Sequence, residues 1–348
     1  MHLTRVPEDP PPDTAPQVVA TIGNFDGVHR GHQALIGRVI ERAAELGVQS
    51  AIVTFDPHPL SVIRPQASLP LLSTVEERIE YFRSLGVDHL LVWRFDSTVQ
   101  HTSAADFLTQ LQRYVRLRRL LYGPGFALGR GREGTPEVLA RLGAELGFSL
   151  EEVTPFGGPA PGATPLRPQA PAAAPRGGGG VLSSTAIRAL IAAGQVEQAT
   201  HALGRPPTLT GEVVSGAKLG RSLGYPTANL RLDTPRAVPA DGVYAAWAEI
   251  APFTPTTRRI PAAVSIGDRP TFDGKQRIVE AYLLDFDGDL YGRRLRLHFV
   301  ARLRGQERFD DVASLLAQMA RDVEHVRRLL APARDLTPPL PEGAAVGG

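Results

Sequence analysis

The 348-residue sequence contains no cysteine, which excludes disulfides, thiolate zinc sites and cysteine nucleophiles. It has no uninterrupted apolar run of about 18 residues and no apolar signal-peptide core, so we expect neither a membrane-spanning helix nor a secretory leader. An excess of basic charge is also missing, because 38 Lys and Arg stand against 36 Asp and Glu. Nucleic acid is therefore not implied as a partner. We expect a soluble, untargeted cytoplasmic protein.

The length predicts two domains, because 348 residues exceed what one hydrophobic core usually organises. From Val18 to about residue 155, aliphatic runs alternate with helical patterns, which is typical of a parallel sheet of about five strands with crossover helices. After Arg205, six short alternating strands predict a small antiparallel barrel, followed by an amphipathic helix. We therefore expect an α/β domain over residues 17–200 and a β-rich domain over residues 205–333.

Three segments are expected to carry little fixed structure. Residues 157–180 are dominated by Pro, Ala and Gly, which predicts a mobile, partly extended loop inserted within the first domain. The ends, residues 1–16 and 336–348, are predicted to be frayed or disordered.

A glycine-rich turn follows the first predicted strand in VVATIGNFDGVHRGHQAL. The turn consists of Gly23, Asn24, Phe25, Asp26 and Gly27. Such a turn ahead of a helix faces phosphates, since glycines let backbone amides approach an oxygen-rich ligand. His29 and His32 lie where the helix begins, and we expect both to donate to the charge that develops as pyrophosphate leaves. A tight turn with capping or exposed histidines explains the short His-x-Gly-His pattern equally well.

Two further segments carry candidates for the same site, TFDPHP at the end of the second predicted strand and LSSTAIRAL at a predicted helix start. The candidates are Phe55, Pro57 and His58 in the first segment and Ser184, Thr185 and Arg188 in the second. Open α/β sheets bind ligands at the carboxyl ends of their strands, and an arginine fork suits a triphosphate. Taken alone, a proline-rich turn and a solvated helix arginine are the simpler interpretations.

The segment GEVVSGAKLGRSLGYPTANL holds a second group of candidates. Gly216, Lys218 and Gly220 form a glycine-and-lysine loop suited to covering phosphates, although a hairpin explains a lone glycine loop as well. Thr227 and Asn229 offer hard oxygen ligands suited to Mg²⁺.

Glu280 is the candidate proton acceptor of this second site. It alternates with Val279 and Ala281 in VEAYLLDF, so its side chain projects from the opposite strand face. A carboxylate there can accept the proton of a hydroxyl that attacks a phosphate. The alternative is an exposed strand glutamate.

The motifs resemble those of the bacterial riboflavin kinase/FAD synthetase family, in the same order, over about residues 17–331. GNFDGVHRGH resembles its nucleotidyltransferase signature, SSTAIR its Ser-Ser-Thr-x-x-Arg signature and GRSLGYPTAN its kinase signature. The resemblance implies a Rossmann-like domain that adenylylates FMN to FAD, with His29, His32 and Arg188 in catalysis. It also implies a kinase barrel that phosphorylates riboflavin to FMN, with Glu280 as the base. Both reactions would use ATP and Mg²⁺.

One segment departs from the family, which usually has Gly-x-Asp/Asn-Phe-x-Phe-Gly where this chain has GPGFALG, with Gly125 and Leu128 at the changed positions. If the missing polar side chain holds FMN, the adenylyltransferase is impaired and the chain acts as a riboflavin kinase alone. A flavin or nucleotide sensor is the non-enzymatic alternative, but a binder needs no proton acceptor such as Glu280. The expected partners are small molecules, and nothing in the sequence decides self-association.

Overall fold

The computed structural model describes residues 1–153, 182–216, 224–254, 256–271 and 274–331, with only the backbone at 269–271 and 274–276. The predicted loop 157–180, Lys218, Gly220 and the tail 336–348 lie outside these described residues. Contacts among the described residues divide the chain into two compact units. The first contains residues 1–153 with Leu182–Ser184, and the second begins at Thr185.

The first unit is a parallel sheet of six strands in the order β1-β4-β3-β2-β5-β6, flanked by helices. The strands are β1 (His2–Val6), β2 (Gln17–Ile22), β3 (Gln49–Asp56), β4 (His89–Arg94), β5 (Arg116–Tyr122) and β6 (Ser149–Glu152). The helices are α1 (Arg30–Glu45), α2 (Pro59–Ile63), α3 (Val75–Ser84), α4 (Ser97–His101), α5 (Ala104–Leu111) and α6 (Pro136–Leu146), with a 3₁₀ turn at Arg130–Arg132. The expected parallel sheet with crossover helices is confirmed.

The central strands β2 and β3 are buried on both faces. Val18, Val19 and Ala20 of β2 have no exposed surface, as expected of strands covered by helices on both sides. The turn that begins at Gly23 follows β2 directly, and the segment that begins at Pro57 follows β3. Both candidate segments therefore leave the sheet at the carboxyl ends of adjacent strands, where open α/β sheets bind ligands.

The expectation that residues 1–16 are frayed was wrong for their first part. His2–Val6 form β1, which pairs in parallel with β4, so the sheet has one strand more than predicted. Val6 is buried in one apolar cluster and Leu3 packs against another. Two apolar side chains on opposite faces make a weak sequence signal, and the proline-rich PEDPPPDTAP that follows obscures it.

The second unit contains two helices, a closed six-stranded barrel and a C-terminal helix, which confirms the expected β-rich domain. The barrel order is β10-β11-β8-β7-β12-β9. The elements are α7 (Ser184–Ala192), α8 (Val196–Leu203), β7 (Thr208–Val214), β8 (Ala228–Arg231), β9 (Gly242–Ile250), β10 (Ile260–Thr271), β11 (Gly274–Leu283), β12 (Arg294–Arg304) and α9 (Val312–Leu330). Contacts group residues from Thr185 onward with this unit, whereas the predicted boundary lay between 200 and 205.

Helix α9 packs on the outer face of the barrel. Val326 and Leu330 of this helix form an apolar cluster with Ala245 and Trp247 of β9. Val264 and its inward-facing neighbours on the other strands fill the interior, so side chains at alternating positions of β10 and β11 face outward. Among the described residues, no helix has the length and apolar character needed to cross a membrane.

Candidate active sites

Asp26 holds the turn after β2 in shape. Its buried carboxylate accepts hydrogen bonds from the Leu72 amide (3.0 Å) and from the amide (2.9 Å) and hydroxyl (3.2 Å) of Ser73. The Ser73 hydroxyl in turn accepts from the Gly27 amide at 2.8 Å. The Asp26 carboxylate, part of the predicted ligand-facing turn, is thus engaged by the loop ahead of α3. We assign it the task of shaping the turn.

The structure brings His29 and His32 together at the start of α1. Their rings stack at 3.6 Å between centroids with 16° between planes, and the Phe25 ring meets His32 edge-on at 5.1 Å. His29 is the N-cap of α1, where its Nδ1 accepts from the His32 amide at 3.3 Å. Because Nδ1 acts as an acceptor, the neutral ring carries its hydrogen on Nε2. Nε2 is therefore the ring nitrogen of His29 that can act as a donor.

His58 repeats this capping arrangement after β3. It is the N-cap of α2, with Nδ1 accepting from the Leu60 amide at 3.2 Å, which leaves the hydrogen of the neutral ring on Nε2. The Phe55 ring is buried and meets Phe95 edge-on at 5.6 Å. Phe55 was predicted to bind a ligand; its side chain lies in the apolar core cluster, and a part in ligand binding stays a prediction. Pro57 is exposed.

The predicted serine and arginine segment contributes one contact to the turn after β2. The Ser184 hydroxyl donates to the Asp26 carbonyl at 2.9 Å, so the structure joins two motifs that are far apart in the chain. Thr185 and Arg188 belong to the second unit. Arg188 lies half-buried on α7, four residues after Ser184 and so on the same helix face. Its action on the triphosphate stays a prediction.

The departing segment GPGFALG forms a tight turn after β5. The Phe126 amide donates to the Gly123 carbonyl at 3.3 Å, and Gly125 is exposed with φ +71°. A proline followed by a residue with positive φ is typical of a type II turn. Leu128, which replaces the family's second aromatic residue, is buried in the core. Gly125 is therefore the changed position that lies at the surface.

We expect Gly125→Asn to raise FAD formation at low FMN about threefold to tenfold, because one side-chain hydrogen bond contributes about 0.5–1.5 kcal/mol. A Cβ at Gly125 would meet nothing within 4 Å, and asparagine tolerates positive φ better than most residues. The measurement is the rate of FAD formation at subsaturating FMN, with FMN formation from riboflavin as the internal control. A slower FAD step would show that another residue supplies the flavin contact.

The second site lies on the outer face of neighbouring barrel strands. Glu280 of β11 is directly opposite Asn229 of β8 and opposite Ser265 of β10. Side chains of residues paired in this way project from the same face. Val279 and Ala281 are buried in the interior, so Glu280 faces outward beside Asn229. Two distant motifs thus meet at one place on the barrel.

Gly216 and Tyr225 fix the surroundings of Asn229 and Glu280. A Cβ built on Gly216 would lie 2.2 Å from the Asn229 side-chain nitrogen, so a side chain there would displace the Asn229 carboxamide. The Tyr225 ring packs edge-on at 5.2 Å against Tyr282, which is two residues beyond Glu280 and on the same strand face. Thr227, half-buried, is the residue before β8. The YPTAN segment is therefore held against the strand that carries the carboxylate.

Gln306 is a neighbour of this site that no sequence motif predicts. Its side-chain nitrogen donates to the Ser265 hydroxyl at 3.1 Å and to the Ile266 carbonyl at 2.8 Å. Since the hydroxyl oxygen of Ser265 accepts from Gln306, its hydrogen is directed elsewhere. The sequence does not predict this contact, because Gln306 follows β12 and approaches β10 only when the barrel closes.

Comparisons with known proteins assign an activity to each half of the chain. Residues 12–159 match the family model described as FAD synthetase, and residues 203–330 match that described as riboflavin kinase. A bifunctional riboflavin kinase/FMN adenylyltransferase of Escherichia coli strain K12 is 34% identical over 311 residues, 88% of this chain and 92% of that protein. The chain belongs to this bifunctional family.

Further relatives extend the same match. The protein with the same description from Pseudomonas fluorescens is 37% identical over 319 residues, 90% of this chain and 93% of that protein. A crystal structure described as a macrolide-efflux protein from Streptococcus pneumoniae shares the fold, with a TM-score of 0.77 and 27% identity over 94% of this chain. The bifunctional enzyme expected from the motifs is confirmed. The kinase-only and sensor alternatives are not favoured.

Proposed function

We propose that the barrel transfers the γ-phosphate of ATP to riboflavin with Glu280 as the general base. The pairing of Glu280 with Asn229 gives this proposal its main support, because it places a proton acceptor beside an oxygen ligand on one face of the barrel. In the reaction, Glu280 accepts the proton of the riboflavin 5'-hydroxyl as its oxygen attacks the γ-phosphorus, and ADP leaves. The product is FMN.

We further propose that Thr227 and Asn229 hold Mg²⁺ together with the phosphates of ATP. A hydroxyl and a carboxamide oxygen are the hard donors that Mg²⁺ accepts, and this ion usually keeps few protein ligands beside waters and phosphate oxygens. No group of three or more His, Asp or Glu able to hold a metal by itself occurs in the described parts of the chain. Bound Mg²⁺ would neutralise charge on the transferred phosphoryl group.

For the first unit we propose adenylyl transfer to FMN. The FMN phosphate attacks the α-phosphorus of a second ATP and pyrophosphate leaves. The Nε2–H of His29, together with His32, would donate to the charge on the departing pyrophosphate. The part of Arg188 in this step stays the prediction made from its motif. Backbone amides of the turn after β2 would approach the phosphates at the start of α1. Support comes from the stacked imidazoles and from the hydrogen bonds that Asp26 and Ser184 make to fix that turn.

A product assay tests the two activities together. Riboflavin is incubated with ATP and Mg²⁺, and the flavins are separated by chromatography at successive times. We expect FMN first and FAD later, with neither product when Mg²⁺ is chelated. FMN without FAD would overturn the first-unit assignment, and absence of both would overturn the proposal. The substrates are small molecules, and we propose a cytoplasmic location.

Asn229→Ala is expected to weaken Mg²⁺-dependent FMN formation at least about tenfold, because water is the only replacement for the lost oxygen. The measurement is the Mg²⁺ concentration needed for half-maximal FMN formation. FAD formation from supplied FMN in the same preparation is the control and should be unchanged. If both activities fell together in a well-folded variant, the assignment of separate sites would be wrong.

A further inference from the structure

Arg78 is a buried arginine that belongs to none of the sequence motifs and lies beneath the first site. It lies on α3 with 4% of its surface exposed. Its Nη1 donates to the Asn24 carbonyl (2.7 Å) and the Thr54 hydroxyl (2.7 Å), and its Nη2 donates to the Phe55 carbonyl (3.1 Å). One guanidinium thus joins the turn after β2 to the end of β3.

Packing alone does not account for an arginine at this position. Its Nε is buried and has no hydrogen-bond partner among the described residues, and burying an N–H in this way costs stability. A lysine offers a point charge on a flexible stem, whereas the planar fork reaches acceptors in two directions at once. What the guanidinium adds is a rigid link between the Asn24 and Phe55 backbones.

The segments that Arg78 joins carry carboxylates, whose charge is opposite to that of its guanidinium. Asp56 Oδ1 lies 4.0 Å from Nη2. Burial lowers the pKa of Arg78, whereas the carboxylates of Asp26 and Asp56 raise it. For Asp56 the signs are reversed: burial raises the pKa of its carboxyl group, and the Arg78 guanidinium lowers it. Without this cation, two carboxylates beside the turn would oppose the approach of a triphosphate, since like charges repel.

We infer that Arg78 is a positioning residue for adenylyl transfer, which sets the spacing of the Asn24 and Phe55 backbones and offsets the charge of Asp56 beneath the nucleotide. It does so without reaching the phosphates, because its terminal nitrogens are occupied by protein oxygens and its side chain is buried. The inference rests on the proposed adenylyltransferase function of the first unit.

The test compares Arg78→Met and Arg78→Lys in the full-length chain with Arg83→Met, an exposed arginine on the same helix. FAD formation from supplied FMN gives KM for ATP and kcat, and inhibition by inorganic pyrophosphate reports anion binding separately. We expect Arg78→Met to raise KM for ATP about 10- to 100-fold, since hydrogen bonds to a charged group are being lost. Pyrophosphate inhibition should weaken by a similar factor, while kcat changes less.

Arg78→Lys keeps the charge and loses the fork, so its KM for ATP should lie between the parent and Arg78→Met. Arg83→Met should match the parent, and riboflavin kinase activity should be the same in all variants. A folded Arg78→Met with parental KM and pyrophosphate inhibition would overturn the inference. So would a fall in kcat alone that tracks a lower melting temperature, because that indicates a purely structural role.

If Arg78→Met does not fold, Arg78→Lys decides the matter. A raised KM for ATP with normal kinase activity supports the inference, and a parental KM overturns it. A parent protein that makes no FAD from FMN would overturn the proposed function and this inference together. A parent that makes FAD while both Arg78 variants keep its KM overturns the inference alone.

Discussion

Glu280→Gln is expected to lower the rate of FMN formation about 10²–10⁴-fold, because glutamine keeps the side-chain shape but cannot accept the proton of the attacking hydroxyl. Glu280 faces outward from β11, with Val279 and Ala281 filling the barrel interior on either side. The substitution therefore leaves the core untouched, and the loss should appear in turnover and not in folding. The measurement is the steady-state rate of FMN formation from riboflavin and ATP.

Two controls separate this chemistry from a general effect. FAD formation from supplied FMN should be unchanged, and riboflavin binding, followed by flavin fluorescence, should largely survive. Glu212→Gln is a matched variant, since Glu212 is also a strand glutamate of the barrel but pairs with Arg231 at the surface. It should retain parental FMN formation. Parental turnover by Glu280→Gln would remove this carboxylate from the mechanism.

His29→Asn is expected to lower FAD formation about 10²–10³-fold, the usual effect of removing one donor that stabilises developing negative charge. Asparagine is a good N-cap, so the start of α1 should persist while the Nε2–H is lost. This separates the observed function of His29, which caps the helix with Nδ1, from the proposed one, which is donation to the ligand through Nε2. The rate of FAD formation from supplied FMN and ATP measures the effect.

Riboflavin phosphorylation by the same His29→Asn preparation should equal that of the parent. His101→Asn is the matched variant, because His101 is an exposed histidine in the last turn of α4, and it should form FAD at the parental rate. Undiminished FAD formation by His29→Asn would show that His29 serves only as a helix cap.

The parts of this protein that the sequence predicts are those where one local pattern decides the outcome. Alternating apolar residues predict each barrel strand, because an outward side chain such as Glu280 and an inward one such as Val279 differ in burial. Local patterns do not give the register between strands, which places Glu280 opposite Asn229. Register depends on how the whole barrel closes, so motif order alone does not give it.

The parts that could not be predicted depend on tertiary contacts. Asp26 and Phe55 lie in ligand-facing motifs, yet the first bonds to the Leu72–Ser73 backbone and the second packs into the core. Arg78 lies in VEERIEYFRS, where an amphipathic pattern does not distinguish a buried arginine from an exposed one. Each outcome depends on a neighbour far away in the chain.

The short first strand has a consequence for handling this protein. β1 pairs with β4, whose residues Leu90, Leu91, Val92 and Trp93 are buried. If β1 were trimmed away or displaced by an N-terminal fusion tag, β4 would become the border of the sheet, with unpaired peptide groups along an apolar strand. Such a border is a template for pairing with other chains and so for aggregation. The residues ahead of the nucleotide motif thus cover the apolar strand β4 and place the more exposed strand β1 at the border of the sheet.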